Sequence, residues 1–198
     1  MAPRTYRMTR RAAASAETRR RIVDAAIALH AEKGILGTTW PDIAKRADVA
    51  LGTVYRHFPG LDQLVPACTS ENAVRMRPPG ASVLVGVTRP EERIGRFVEE
   101  LFAFYGRSAP WTPRASIDRH QLPVLDTILS RREAGLKVLV EETLGPLRRR
   151  RHALDAALAL TDFGVWRSLT RSRLSTEAAA QLITEVLVTW LNRQRRVR

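Results

Sequence analysis

Three short bursts of apolar residues between Ile22 and Phe58 constrain this chain more than anything else in it. Ile22, Ala25, Ala26 and Leu29 recur at intervals of three and four, and Gly34 halts the run. Trp40, Ile43, Ala44 and Ala47 mark a second, shorter helix. Pro41 sits in its first turn, where a missing N–H costs nothing. Asp48 follows, one of the few non-glycine types that adopt positive φ cheaply, so the chain turns through Asp48-Val49-Ala50. A third helix then runs to Phe58, with Val54 and Phe58 on one inward face. A helix this short does not persist alone in water, so the first two must brace it. The pattern is a helix-turn-helix with a supporting first helix. Thr53, Tyr55, Arg56 and His57 supply hydroxyls, a guanidinium and an imidazole, groups that donate to phosphate oxygens and base edges.

Charge agrees with that reading. The formal net charge is +13 over 198 residues, which favours a polyanionic partner. Lys33, Lys45 and Lys137 are the only lysines among 33 basic residues. Such an arginine skew also follows from a GC-rich genome, so charge supports the inference without deciding it. Residues 1–16 carry Arg4, Arg7, Arg10 and Arg11 without apolar periodicity. They are expected to form a flexible basic arm reaching phosphates or the minor groove, the alternative being a solubilising tail. Arg19, Arg20 and Arg21 are candidates for the same backbone. Cys68 is the sole cysteine, so no disulfide forms within the chain and a reducing cytoplasm is expected. No stretch is apolar enough to span a bilayer, and the arginine-bearing start is unlike a secretory signal.

The run Thr38-Thr39-Trp40-Pro41-Asp42-Ile43-Ala44-Lys45-Arg46-Ala47-Asp48-Val49, followed by Gly52-Thr53-Val54-Tyr55-Arg56-His57-Phe58, resembles the amino-terminal domain of tetracycline-repressor-type (TetR family) transcriptional regulators. The resemblance extends from about Thr18 to Leu64. Three positions depart from it: Asp48 replaces the usual turn glycine, Ala50 the usual serine cap, and Leu61 the lysine after the motif. Ala50 cannot accept a hydrogen bond from the first-turn N–H groups, at a cost of ~1 kcal/mol. The resemblance implies that Thr53, Tyr55 and His57 hold phosphates, that Leu51, Gly52 and Arg56 face bases, and that Thr39 anchors the DNA backbone. It also implies a helical body that binds a small effector and dimerises.

Beyond the motif the chain reads as helical throughout. Gly60–Met76 is a connecting helix with Pro66 in its early part, and Arg77–Ser82 is a break. Thr88 and Glu91 fit a capping box ahead of Ile94, Phe97, Val98, Leu101, Phe102 and Tyr105. Gly106–Gln121 is broken by Pro110 and Pro113, and a further helix from about Leu125 stops at Gly145-Pro146. Two long helices close the chain, one carrying Leu154 to Leu169 and one starting near Ser175. Their second apolar faces predict a four-helix interface between two copies. Leu158, Val165, Leu169, Leu182, Val186, Leu187 and Trp190 are its candidates. Phe102, Tyr105, Trp111, Leu125, Ile128, Leu129 and Trp166 are candidates for lining an effector cavity, although an apolar stripe is by default plain core.

There is no Gly-rich phosphate loop, no His-Glu-x-x-His and no cysteine pair, so neither a cofactor nor a catalytic site is expected. His120 with Asp118 and Asp126 is too loosely spaced for a metal site. The expected fold is all-α: a basic arm (1–16), a three-helix helix-turn-helix domain (17–60) and a helical ligand-binding and dimerisation domain (61–198). The expected function is a homodimeric, cytoplasmic regulator, a repressor on a palindromic double-stranded DNA operator, released by a small apolar or amphipathic effector. A sequence-indifferent basic DNA coater and a helical enzyme are the rivals.

Overall fold

The computed structural model describes the backbone of residues 4–194 and the side chains of residues 9–194. Every regular element described is a helix or a 3₁₀ turn. Contacts divide the chain into two compact units. One comprises the chain up to Arg75 with Pro110–Leu129; the other comprises Met76–Ala109 with the chain from Ser130.

In the first unit, α1 (Arg4–Lys33) runs for 30 residues. The expected irregular arm is thus helical from Arg4 onward. Alanines at 12–14 and 16 have the best helix propensity, and Arg20 ties Glu17 to Asp24 along one face. Gly34, at φ +81, ends the helix. Helices α2 (Trp40–Ala47) and α3 (Leu51–His57) follow, then α4 (Leu61–Met76), which contains Pro66. Ile22, Ala26, Ile43, Val54, Phe58, Leu64 and Cys68 share one core cluster. Leu64 and Cys68 belong to that cluster, so α4 packs with the helix-turn-helix in this unit. Val54 and Phe58 are fully buried. Burial of such side chains stabilises by about 1.5–3 kcal/mol each, and here it holds α3 in place.

The stretch broken by Pro110 and Pro113 forms α6 (Thr112–Asp118) and a 3₁₀ turn. It leads into α7 (Pro123–Leu144), whose first part belongs to this unit. Leu122 and Leu125 join Ile35 and Val65 in a small separate cluster.

The second unit is built on α5 (Pro90–Ser108), which packs along α10 (Thr176–Arg193). The Thr88–Glu91 capping box does not form. Pro90 takes the first helical position, which makes Arg89 the cap residue and leaves Thr88 one place too early. The first of the two expected long helices is broken into α8 (Ala153–Leu160) and α9 (Phe163–Arg171). Asp162 causes the break: its carboxylate accepts from Gly164 N at 2.7 Å and starts a new helix. Ser175 caps α10 as its position predicts, accepting from Ala178 N at 3.1 Å.

Candidate nucleic-acid interface

The reading head is held by polar bonds at both ends of α2. At its start Thr39 Oγ1 accepts from Asp42 N at 3.3 Å, while the Asp42 carboxylate accepts from Thr39 N at 3.2 Å. This capping box escaped the sequence reading, although the Thr-x-x-acid spacing was there to find. Asp42 also accepts from Lys33 Nζ at 2.7 Å, and these bonds hold its carboxyl down to about 2. At the far end Asp48 adopts φ 53, ψ 55, as its residue type predicts. Arg21 spans to this turn and donates to the carbonyls of Ala47 and Asp48.

Helix α3 starts at Ala50 with no side-chain cap, as expected from the missing serine. Leu51 and Tyr55 are 39% and 44% exposed, although both have large apolar parts. Gly52 and Arg56 are exposed beside them, and Thr53 and His57 are half-buried. A Cβ at Gly52 would meet nothing within 4 Å, so the fold itself does not demand glycine there. The open surface leaves room for a close-approaching partner. The Tyr55 ring lies 5.4 Å from that of Trp40, tilted by 41°, which limits its freedom. Burial first, then Arg56 and Arg19, pushes the His57 imidazole below its ordinary range, so at neutral pH it offers one N–H.

Of the arginines opening α1, Arg20 is paired with Glu17 and Asp24, Arg21 holds the turn, and Arg19 lies 4.7 Å over the Phe58 ring. The side chains of Arg4 and Arg7 lie outside the described residues. Arg46 is taken up by Glu32 at 2.5 Å. Among the described residues no carboxylate pairs with Arg56, which keeps its charge available to an outside anion.

The other expected site residues separate. Phe102, Tyr105 and Trp166 come together in the core of the second unit. Tyr105 donates to Thr161 O at 3.0 Å. Its ring lies 6.0 Å from Phe102 and 6.1 Å from Trp166. Trp111, Leu125, Ile128 and Leu129 belong to the first unit. Trp111 Nε1 donates to Ile27 O at 3.0 Å, and Leu125 is buried with Ile35 and Val65. Of the seven dimer candidates, Leu182 and Val186 are 40% and 43% exposed and line a surface groove with Trp190. Leu158, Val165 and Leu169 are half-buried. Leu187 is 1% exposed, so it belongs to its own unit's core and not to an outer face. The Asp118 carboxylate faces the backbone of Ile35, and Asp126 pairs with Arg119 at 2.8 Å.

A short helix offering hydroxyls, an arginine and a glycine outward, braced by two others across a left-handed turn, has the arrangement of a helix-turn-helix. Residues 22–68 match the family described as bacterial regulatory proteins, tetR family. The likeness to that family is carried by this stretch of the chain. It is 37% identical over 76 residues to the HTH-type transcriptional repressor KstR of Rhodococcus jostii, a match covering 36% of each chain. It is 43% identical over 61 residues to the HTH-type transcriptional regulator SrpR of Pseudomonas putida, covering 30% of this chain and 29% of that one. The matched stretch is therefore about a third of each curated relative. The fold of a TetR-like transcriptional regulator from Rhodococcus sp. RHA1 superimposes with TM-score 0.68 at 19% identity, covering 88% of this chain and 96% of the other. That of the multidrug binding protein EbrR gives TM-score 0.59 at 23% identity, covering 87% and 93%. No described helix is long and apolar enough to cross a membrane.

Proposed function

We propose that this chain is a transcriptional regulator that binds a palindromic duplex operator as a homodimer and is released by a small apolar or amphipathic effector. The observation that carries the reading is the division of α3 into two faces. Val54 and Phe58 are fully buried, while Leu51, Gly52, Tyr55 and Arg56 are exposed side by side. Exposed Leu and Tyr beside Gly and Arg form a surface whose apolar and donor groups a major groove can use. Thr39, Thr53, Tyr55 and His57 are assigned to phosphates, and Leu51, Gly52 and Arg56 to base edges. Arg4 and Arg7 are assigned to the flanking backbone.

One short helix reads too few base pairs to be selective. Two copies about 34 Å apart gain affinity and demand a palindrome. The groove of Leu182, Val186 and Trp190 is the surface we assign to the second copy. Phe102, Tyr105 and Trp166 are assigned to the effector, whose influence is limited to its differential affinity for two conformations. Repression follows from occupancy of the operator.

The net charge of +13 favours one rival, a binder indifferent to sequence. Gel shifts with genomic fragments at physiological salt separate the two. A regulator retains a few fragments against excess random duplex. A coater retains all of them equally, with a steep loss as salt rises.

A further inference from the structure

We infer that Asp118 positions the reading head. Its carboxylate, on α6, fixes the turn between α1 and α2 and so sets the angle at which α2 and α3 are presented. The inference rests on α3 being the DNA-contacting element.

The Asp118 side chain is buried, 7% exposed, although it comes from a part of the chain 83 residues beyond the turn it meets. Its Oδ2 accepts from Ile35 N at 2.6 Å and faces Leu36 N at 3.4 Å. These N–H groups follow the end of α1 and have no place in a helical ladder. Ile35 is itself buried, so its N–H requires a protein partner in place of water. A carboxylate oxygen is a strong acceptor for it. His30 is buried next to this carboxylate, and that burial holds its imidazole down to about 4, so it is neutral at ordinary pH.

Gly34 provides a second, independent mark of the same contact. It has φ +81, and a Cβ on it would stand 2.9 Å from Asp118 Oδ2. Any other residue would be strained in the backbone and would push the carboxylate off. Glycine here serves both the turn and the approach of Asp118. From this turn the chain passes in five residues to Thr39, the cap of α2. Five bonds then hold it in sequence: Ile35 N to Asp118, Thr38 Oγ1 to Gly34 O at 2.6 Å, Lys33 to Asp42, and the two of the Thr39–Asp42 box. Only the first comes from outside α1, α2 and their turn, so the segment Pro110–Leu129 acts on the reading head at that point.

The test uses the full chain with Asp118→Ala, Asp118→Asn and Gly34→Ala. Two quantities are measured: amide exchange at Ile35 and Leu36, and affinity for a labelled duplex that the unmodified protein selects from a randomised library. Asp118→Ala is expected to speed exchange at both amides and weaken duplex binding, each by about tenfold or more. Asp118→Asn, whose amide oxygen still accepts, restores both to within about threefold. Gly34→Ala displaces the carboxylate from the opposite side and reproduces the Asp118→Ala changes, which keeps the test open should Asp118→Ala fail to fold. The inference is overturned by unchanged exchange in a folded Asp118→Ala protein, and also by faster exchange with unaltered duplex affinity. If the unmodified protein selects no duplex at all, the DNA reading fails instead, and exchange alone decides whether Asp118 holds the turn.

Discussion

The Arg21 guanidinium donates to the Asp48 carbonyl at 2.8 Å and to the Asp48 carboxylate at 3.2 Å, across 27 residues of sequence. It also takes the carbonyl of Ala47. A cation thereby closes the carbonyl end of α2, where the helix carries partial negative charge. The same cation secures a turn that here lacks its usual glycine.

Removal of this clamp has a measurable consequence. Arg21→Ala is expected to lower unfolding stability by about 1–2 kcal/mol, since charge-assisted bonds to helix-end carbonyls are lost. Asp48→Gly loses an ion pair that is exposed and weak, and it relieves left-handed strain of about 1 kcal/mol. Its stability is expected to match or exceed that of the unmodified chain. Denaturant titrations of the two variants check the pair, and an equal loss in both would refute the division of roles.

His30 predicts an acid-sensitive fold. Burial holds its imidazole down to about 4, against 6.5 when exposed, and Asp118 opposes that shift only in part. Its Nε2 has no hydrogen-bond partner among the described residues. Below 6.5 the unfolded chain takes up a proton that the folded chain refuses. The stability linked to this group is therefore complete above about 6.5 and is lost as pH falls toward 4, by up to about 3 kcal/mol. His30→Phe, an apolar ring of similar shape, should flatten the thermal-midpoint profile between pH 7 and 4. An unchanged slope would show that other groups govern acid unfolding.

Cys68 should be inert. Burial pushes its thiol up to about 12, despite Arg19 and Arg75 nearby. Native protein at pH 8 is expected to resist a thiol-specific disulfide reagent for hours and to react within minutes once denatured. Rapid labelling of the folded chain would contradict the burial and reopen a redox role.

The groove on α10 predicts self-association. Leu182→Glu with Val186→Glu places two charges on an exposed apolar face. In sedimentation velocity the unmodified chain is expected to run as a dimer and the double variant as a monomer of unchanged helicity. Identical sedimentation of the two would remove that face from the interface.

The reading head was legible because its signals are local. The spacings Ile22-Ala25-Ala26-Leu29, Trp40-Ile43-Ala44-Ala47 and Val54-Phe58 each lie within one helix, and Asp48 announces its own conformation. What stayed hidden depends on contacts far apart in sequence. Trp111 reads as one more aromatic in a body stripe, yet its indole N–H is spent on Ile27, 84 residues away. Asp118 reads as a solvated or structural residue, and only the fold shows it as a buried acceptor. Leu187 fits the apolar stripe of α10 as well as Val186 does. Periodicity alone cannot tell the side of the stripe facing α5 from the side facing outward. The break at Asp162 was available locally, since Asp two residues before Gly is a cap signal, but the surrounding apolar spacing outweighed it.

The most direct measurement is fluorescence anisotropy of a duplex selected by the unmodified protein, titrated with that protein and with Tyr55→Ala at physiological salt. Loss of a charge-assisted phosphate contact on each half-site should weaken the variant by about tenfold to a hundredfold, with unaltered circular dichroism and sedimentation. Equal affinity of the two proteins for that duplex, or a selected duplex bound no better than a random one, would place the DNA-reading surface elsewhere or nowhere on this chain.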